Sequence, residues 1–151
     1  MIDRGQDRET GGVASWVLRG FGLTAIAAGV MIYFLGPDVT ARVFAVLLEN
    51  LVEPPVYRGG LDGADSDSEM RFFAVFWIAY GAAVMHQARD VDGNRTMLLG
   101  LAALFFAGGL GRVLSLWSVQ EPSSLFIILM WIELLLPWPI AAMILRTEPK
   151  Q

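Results

Sequence analysis

Apolar residues along the chain fall in long blocks separated by short polar stretches. The first block runs from Val13 to Leu35, interrupted only by Arg19 near its start. At about 1.5 Å of rise per residue it reaches roughly 30 Å, the thickness of a bilayer's hydrocarbon core. It is longer than the roughly 7–15 apolar residues of a signal-peptide core, and no A-x-A site closes it. The pattern therefore predicts a retained first transmembrane helix at 13–35, stopped by Gly36-Pro37 and preceded by a polar tail over residues 1–12. Residues 38–53 alternate differently. Asp38, Arg42, Glu49 and Glu53 recur at helical spacing on one side, with Val39, Val43, Phe44, Leu47, Leu48 and Leu51 around the rest. That run is too short to cross, and it predicts an amphipathic helix at the interface, ended by Pro54-Pro55.

A loop rich in Gly, Asp and Ser follows, and Ser66 to Glu69 matches an S-x-x-E capping box. The second span is predicted at 70–87, with Arg71 at its mouth. A polar turn with Asp92-Gly93 leads to the third, at 96–117. Ser123 and Ser124 are candidate N-caps for the fourth, at 124–145. Pro137 and Pro139 interrupt its later part, and a short tail closes the chain at 148–151. The predicted fold is an all-α membrane protein: one domain over 13–147, a four-transmembrane-helix bundle with an interfacial helix between the first and second spans.

Composition agrees with that layout. Hydrophobic residues make up 55% of the 151, above the usual share for a soluble domain. There is no cysteine and a single histidine, His86, which excludes disulfides, thiolate chemistry and a multi-histidine metal site within one chain. The formal net charge of -4 argues against a nucleic-acid partner. Arg4, Arg8, Arg89, Arg95, Arg146 and Lys150 would share one side of four spans, against Arg42 and Arg58 on the other. The positive-inside rule then puts both termini in the cytoplasm, and the inner (plasma) membrane is the expected location.

At least two charges lie deep inside apolar spans, Arg112 in the third and Glu133 in the fourth, while Arg19, near the cytoplasmic end of the first, is read as snorkelling. Charged residues at membrane depth are costly, and they face the bundle interior and pair. Arg112 lies about five residues from the outer end of its helix and Glu133 about nine from the start of its own, a depth difference of roughly 6 Å at 1.5 Å per residue. An arginine side chain bridges that offset, so an Arg112–Glu133 ion pair is expected. Pro137 has no N–H for the carbonyl of Glu133, and Pro139 none for Leu135. Glu69 and Arg71, at the outer mouth of the second span, are candidates to extend the pair into a cluster. Such a cluster would be a structural clamp or a polar ligand pocket, and the alternative for Arg71 is snorkelling to headgroups. Ala103, Ala107 and Gly111, Ala25 and Gly29, and Ala79 and Ala83 form small-xxx-small stripes, which permit close helix contact within the chain or between chains. Asp62, Asp65, Asp67 and Glu69 have the alternation of a calcium loop but lack the glycine and distant glutamate of an EF-hand. His86 is read as interfacial, and Trp16, Trp117, Trp131 and Trp138 include interface anchors. No nucleophile elbow, P-loop, H-E-x-x-H or dinucleotide fingerprint is present.

Glu69-x-Arg71 before an aromatic-rich helix, Gly81 within it, Gly108-Gly109-Leu110-Gly111-Arg112 with Ser115, then Pro122 and Glu133, resemble a family of small bacterial four-helix membrane proteins defined only as a domain of unknown function. This chain departs from that pattern in the bulky run Phe72 to Trp77. The layout alone is also similar to DoxX-type membrane proteins. The resemblance implies a fold and no activity or cofactor. The residues themselves favour a non-catalytic accessory, assembly or interaction subunit in the bilayer, with a partner membrane protein or a second copy. The alternative is binding or transport of a lipid, quinone or other small amphiphile in an outer-leaflet pocket lined by Arg71, Arg112 and Glu133. A third reading, an enzyme acting on a lipid headgroup, would need Glu133 or Glu69 as acid or base. No catalytic, cofactor-binding or metal-ligating residue is assigned.

Overall fold

The structure, a computed structural model, describes residues 4–50, 52–118 and 122–147, with side chains described from Gly12 onward. Residues 1–3 and the tail at 148–151 with Lys150, Leu51, residues 119–121 and the side chains of Arg4 and Arg8 lie outside the described residues. Within them the chain is all helical: α1 Arg4–Leu35, α2 Pro37–Leu48, α3 Ala64–Gln87, α4 Arg95–Ser118, α5 Ser124–Leu135 and α6 Pro137–Arg146. Leu136 keeps helical dihedrals, so α5 follows into α6 without a loop, and Pro137 removes a ladder bond at the junction. Three stretches are long and apolar enough to cross a membrane: Gly12–Leu35, Arg95–Ser118 and Ser124–Arg146. α3 is not among them, because its first turns carry Asp65, Asp67, Glu69 and Arg71.

Element ends differ from the hydropathy reading for physical reasons. α1 begins at Arg4, inside the expected tail, since polarity marks the end of an apolar block and not the end of a helix. α3 begins at Ala64, so the Ser66–Glu69 capping box does not form; Gly63 is the N-cap and makes no side-chain cap bond. The acidic run read as loop is instead the first turns of α3, where carboxylates complement the positive end of the helix dipole. α2 stops at Leu48, short of Glu53. One further i→i+4 bond, Val52 N–H to the Leu48 carbonyl, follows before Pro54 forces extended backbone.

α1 packs along α3 for much of its length, and α4 packs on α5 and α6. The α1–α3 seam steps by seven residues: the Ser15 hydroxyl donates to the Ala88 carbonyl at 2.6 Å, Gly22 meets Gly81, and Gly29 meets Ala74. A Cβ at Gly22 would sit 2.7 Å from the Gly81 carbonyl oxygen, so only glycine allows this backbone contact. Ala25 and Gly29 therefore lie inside, as a packing stripe. On α3 the seam uses Ala74, Gly81 and Ala88, while Ala79 stays exposed.

Two apolar cores result. One, at the end holding the α3–α4 turn, joins Ala14, Leu18, Val84, Leu98, Ile140 and Ile144. The other, at the opposite end, joins Ala41, Ala45, Val56, Tyr57 and Leu125. α2 has three sides: Thr40, Ala41 and Ala45 buried, Asp38 and Arg42 along one edge, and Val39, Val43, Val46 and Leu47 exposed. The segment after α2 folds over the start of α5. The Leu125 N–H donates to the Val56 carbonyl at 2.9 Å, and the Arg58 N–H donates to Ser123 Oγ at 3.1 Å. Ser123 is the N-cap of α5, as its place suggests, but its hydroxyl serves the loop and makes no side-chain cap bond.

Candidate functional site

Arg112 projects from α4 and Glu133 from α5. Arg112 Nε donates to Glu133 Oε2 at 2.8 Å. The Glu133 side chain is 6% exposed and that of Arg112 33%. Gly108 and Gly109, one turn before Arg112, make room for this. A Cβ on Gly109 would sit 2.9 Å from Leu134 Cδ2 and 3.1 Å from Glu133 Cβ, and one on Gly108 would sit 3.8 Å from Glu133 Oε2. The carboxylate thus lies against α4, and the pair joins two neighbouring helices. The Arg112 guanidinium also sits 5.8 Å from the centroid of the Phe126 ring, within cation–π range.

That ring continues into the α2 end of the molecule. Phe126 and Tyr57 meet edge to face at 6.0 Å. The Tyr57 hydroxyl donates to Asp38 Oδ1 at 2.7 Å and accepts from the Leu61 N–H at 3.3 Å. Arg42 Nε donates to Asp38 Oδ2 at 2.7 Å and lies 5.8 Å from the Tyr57 centroid. A chain of contacts therefore runs Arg42, Tyr57, Phe126, Arg112, Glu133. The Tyr57 hydroxyl and Arg42 hold the Asp38 carboxyl below its ordinary value. Burial, then the bond to Asp38, pushes the Tyr57 phenol up to about 12. Sequence reading missed Tyr57 and Phe126; the aromatic residue two after Pro55, beside an acidic helix start, was the available signal.

The other two candidates go elsewhere. Arg71 donates from Nε to Asp67 Oδ2 at 2.6 Å, from Nη2 to Asp67 Oδ1 at 3.1 Å, and from Nη1 to the Tyr33 carbonyl at 2.6 Å. It ties the end of α1 to the start of α3 rather than joining Glu133. Glu69 is exposed on α3. The expected four-residue cluster is thus divided: Arg112 and Glu133 pair with each other, Arg71 joins Asp67, and Glu69 faces outward. The physical reason is packing, since α3 lies mainly on α1 and only lightly on α4. Asp67, one of the would-be calcium ligands, is engaged by Arg71, and no three metal-ligating side chains converge among the described residues.

The small-residue stripe of α4 points outward. Gly100, Ala103, Ala107, Gly111 and Ser115 are exposed, and a Cβ at Gly100 or Gly111 would meet open space. Leu104, Leu110, Leu114 and Trp117 flank it, also exposed.

A family model described as "Domain of unknown function (DUF4345)" matches residues 13–144. No curated protein and no solved structure matches the chain.

Proposed function

We propose, from the premise that the chain belongs to the DUF4345 family, that it is a non-catalytic multi-pass membrane protein whose work is to dock another transmembrane helix. The observation that carries this is the outward face of α4, where Gly100, Ala103, Ala107, Gly111 and Ser115 leave a shallow track one turn wide. Small residues three or four apart let a second helix approach backbone to backbone, and van der Waals packing drives association where lipid offers no hydrophobic gain. In this reading α3 also crosses the membrane, as the second of four spans, lined up by its seam with α1. α2 lies at the outer interface with Val39, Val43, Val46 and Leu47 toward acyl chains and Asp38 and Arg42 toward water. Both termini face the cytoplasm of the inner (plasma) membrane. Arg112 and Glu133 serve as a structural clamp that holds α4 in position.

The alternative, a lipid or quinone pocket lined by Arg71, Arg112 and Glu133, has less support. Arg71 is committed to Asp67 and the Tyr33 carbonyl, and Glu133 to Arg112.

The chain has no cysteine, so single cysteines introduced at Ala103, Ala107, Gly111 and, as off-stripe controls, Leu104 and Leu110 test the reading in native membranes. Cross-links confined to the stripe support it; a product of twice the chain mass identifies a second copy, and another mass a partner protein. Equal labelling of stripe and control positions by lipid-borne reagents, with no protein adduct, overturns it.

A further inference from the structure

A groove of about 540 Å³ opens on the α1–α3 pair, lined by Arg19, Ile26, Ala82, Met85, His86 and Arg89. None of these residues belongs to the α4 stripe or to the ion pair. Their spacing explains the groove. Arg19 and Ile26 are seven apart on α1, Ala82, Met85 and His86 share one face of α3, and Arg89 follows in the turn after it. The antiparallel register, with Ser15 against Ala88 and Gly22 against Gly81, sets Ile26 beside the Ala82 end and Arg19 beside the Met85–Arg89 end. The groove is therefore graded along the helix axes. Its mouth carries two guanidinium groups and an imidazole, and its floor is apolar, widened by the small side chain of Ala82. Asp90 and Asp92 share the turn with Arg89 but do not line the groove.

The position along the bundle fits the same gradient. The mouth is at the end that also holds Arg95 and Arg146. Trp16, exposed and 5.8 Å from the Arg19 guanidinium by its ring centroid, sits one turn before Arg19, as an interfacial anchor does. A cationic mouth at headgroup level above an apolar floor at acyl-chain level matches one kind of occupant. We propose that this groove holds an anionic phospholipid of the cytoplasmic leaflet, its phosphate between Arg19, His86 and Arg89 and one acyl chain along Ile26, Ala82 and Met85. Basic pockets between spans on that side recognise anionic headgroups by this charge match. The proposal rests on the chain spanning the membrane, and not on α4 docking a partner.

Native mass spectrometry of the detergent-solubilised full chain, offered equal amounts of phosphatidylglycerol and phosphatidylcholine, tests it. The wild type retains phosphatidylglycerol preferentially. Arg19→Gln and Arg89→Gln each weaken that retention about fivefold, the equivalent of about 1 kcal/mol per cation near an anionic headgroup. Arg146→Gln, at the same end but outside the groove, leaves it unchanged. Ala82→Trp fills the floor from an exposed position with every charge intact and also abolishes the preference, which keeps the test open should an arginine variant fail to fold. Equal retention of the two lipids by the wild type, or the same loss in Arg146→Gln as in Arg19→Gln, overturns the assignment.

Discussion

Arg42 and Arg112 make the same local arrangement in two different settings. Each donates its Nε to a carboxylate, at 2.7 and 2.8 Å, and each lies 5.8 Å from an aromatic centroid. Arg42 is 62% exposed and finds Asp38 one turn away on its own helix. Arg112 finds Glu133 on a different helix, and that carboxylate is almost wholly enclosed. In the first pair Arg42 stands in water and Asp38, 16% exposed, keeps the Tyr57 hydroxyl as a second partner, so losing either charge strands no unpaired group. The second is desolvated and joins helices, so removing either partner strands a charge among apolar side chains. Setting, and not geometry, determines what the two pairs are worth. The Tyr57–Phe126 contact joins them, which makes the comparison open to experiment.

The largest expected effect is at Glu133. Glu133→Gln leaves the Arg112 charge without its counter-ion and lowers stability by about 3 kcal/mol, the lower end for a broken buried pair because Arg112 is partly exposed. Asp38→Asn, the matching change at the pair within α2, leaves an arginine that stands in water and causes a clearly smaller loss in the same denaturation experiment in micelles; equal losses would erase the distinction. Next is Gly109→Val, which drives a branched side chain into Leu134 and Glu133 and costs about 1–3 kcal/mol by overpacking. Gly111→Val, facing open space, serves as its control. Phe126→Leu removes the shared ring and costs about 0.5–1.5 kcal/mol beyond lost area. It also speeds amide exchange at Leu61, whose N–H rests on the Tyr57 hydroxyl.

The smallest effect is in the pH dependence of the α2 end. Asp38 has a lowered pKa, so its contribution is present above its ordinary 3.8 and is lost as pH falls through the lower folded value. Tyr57 has a raised one, so its contribution is complete below pH 10.0 and is lost as pH rises toward about 12. Ultraviolet difference titration of wild type against Tyr57→Phe should show the Tyr57 phenolate appearing only near pH 12. Ionisation at pH 10 would mean the phenol is neither buried nor bonded to Asp38.

The apolar blocks made the first, third and fourth long helices legible, because span length and hydropathy follow from bilayer thickness. The Arg112–Glu133 contact was legible for the same reason: a charge in an apolar helix needs a partner, and a short turn makes neighbours of the helices that carry these two. The start of α3 was not, since acidic residues suit a helix N-terminus and a loop equally. The destination of Arg71 was not, since it depends on α3 lying along α1, which the Gly22–Gly81 seam decides at long range. Tyr57 and Phe126 were also hidden, because aromatic contacts between a loop and a distant helix leave no local periodicity.

Arg112 and Glu133 are proposed to act as one structural unit that clamps α4 to α5. A double-mutant cycle with Arg112→Gln and Glu133→Gln, read by unfolding of the full chain in micelles, tests it most directly. The account predicts strong non-additivity: the double variant is markedly more stable than the sum of the two single losses implies, because neither charge is then stranded. Additive losses would contradict it.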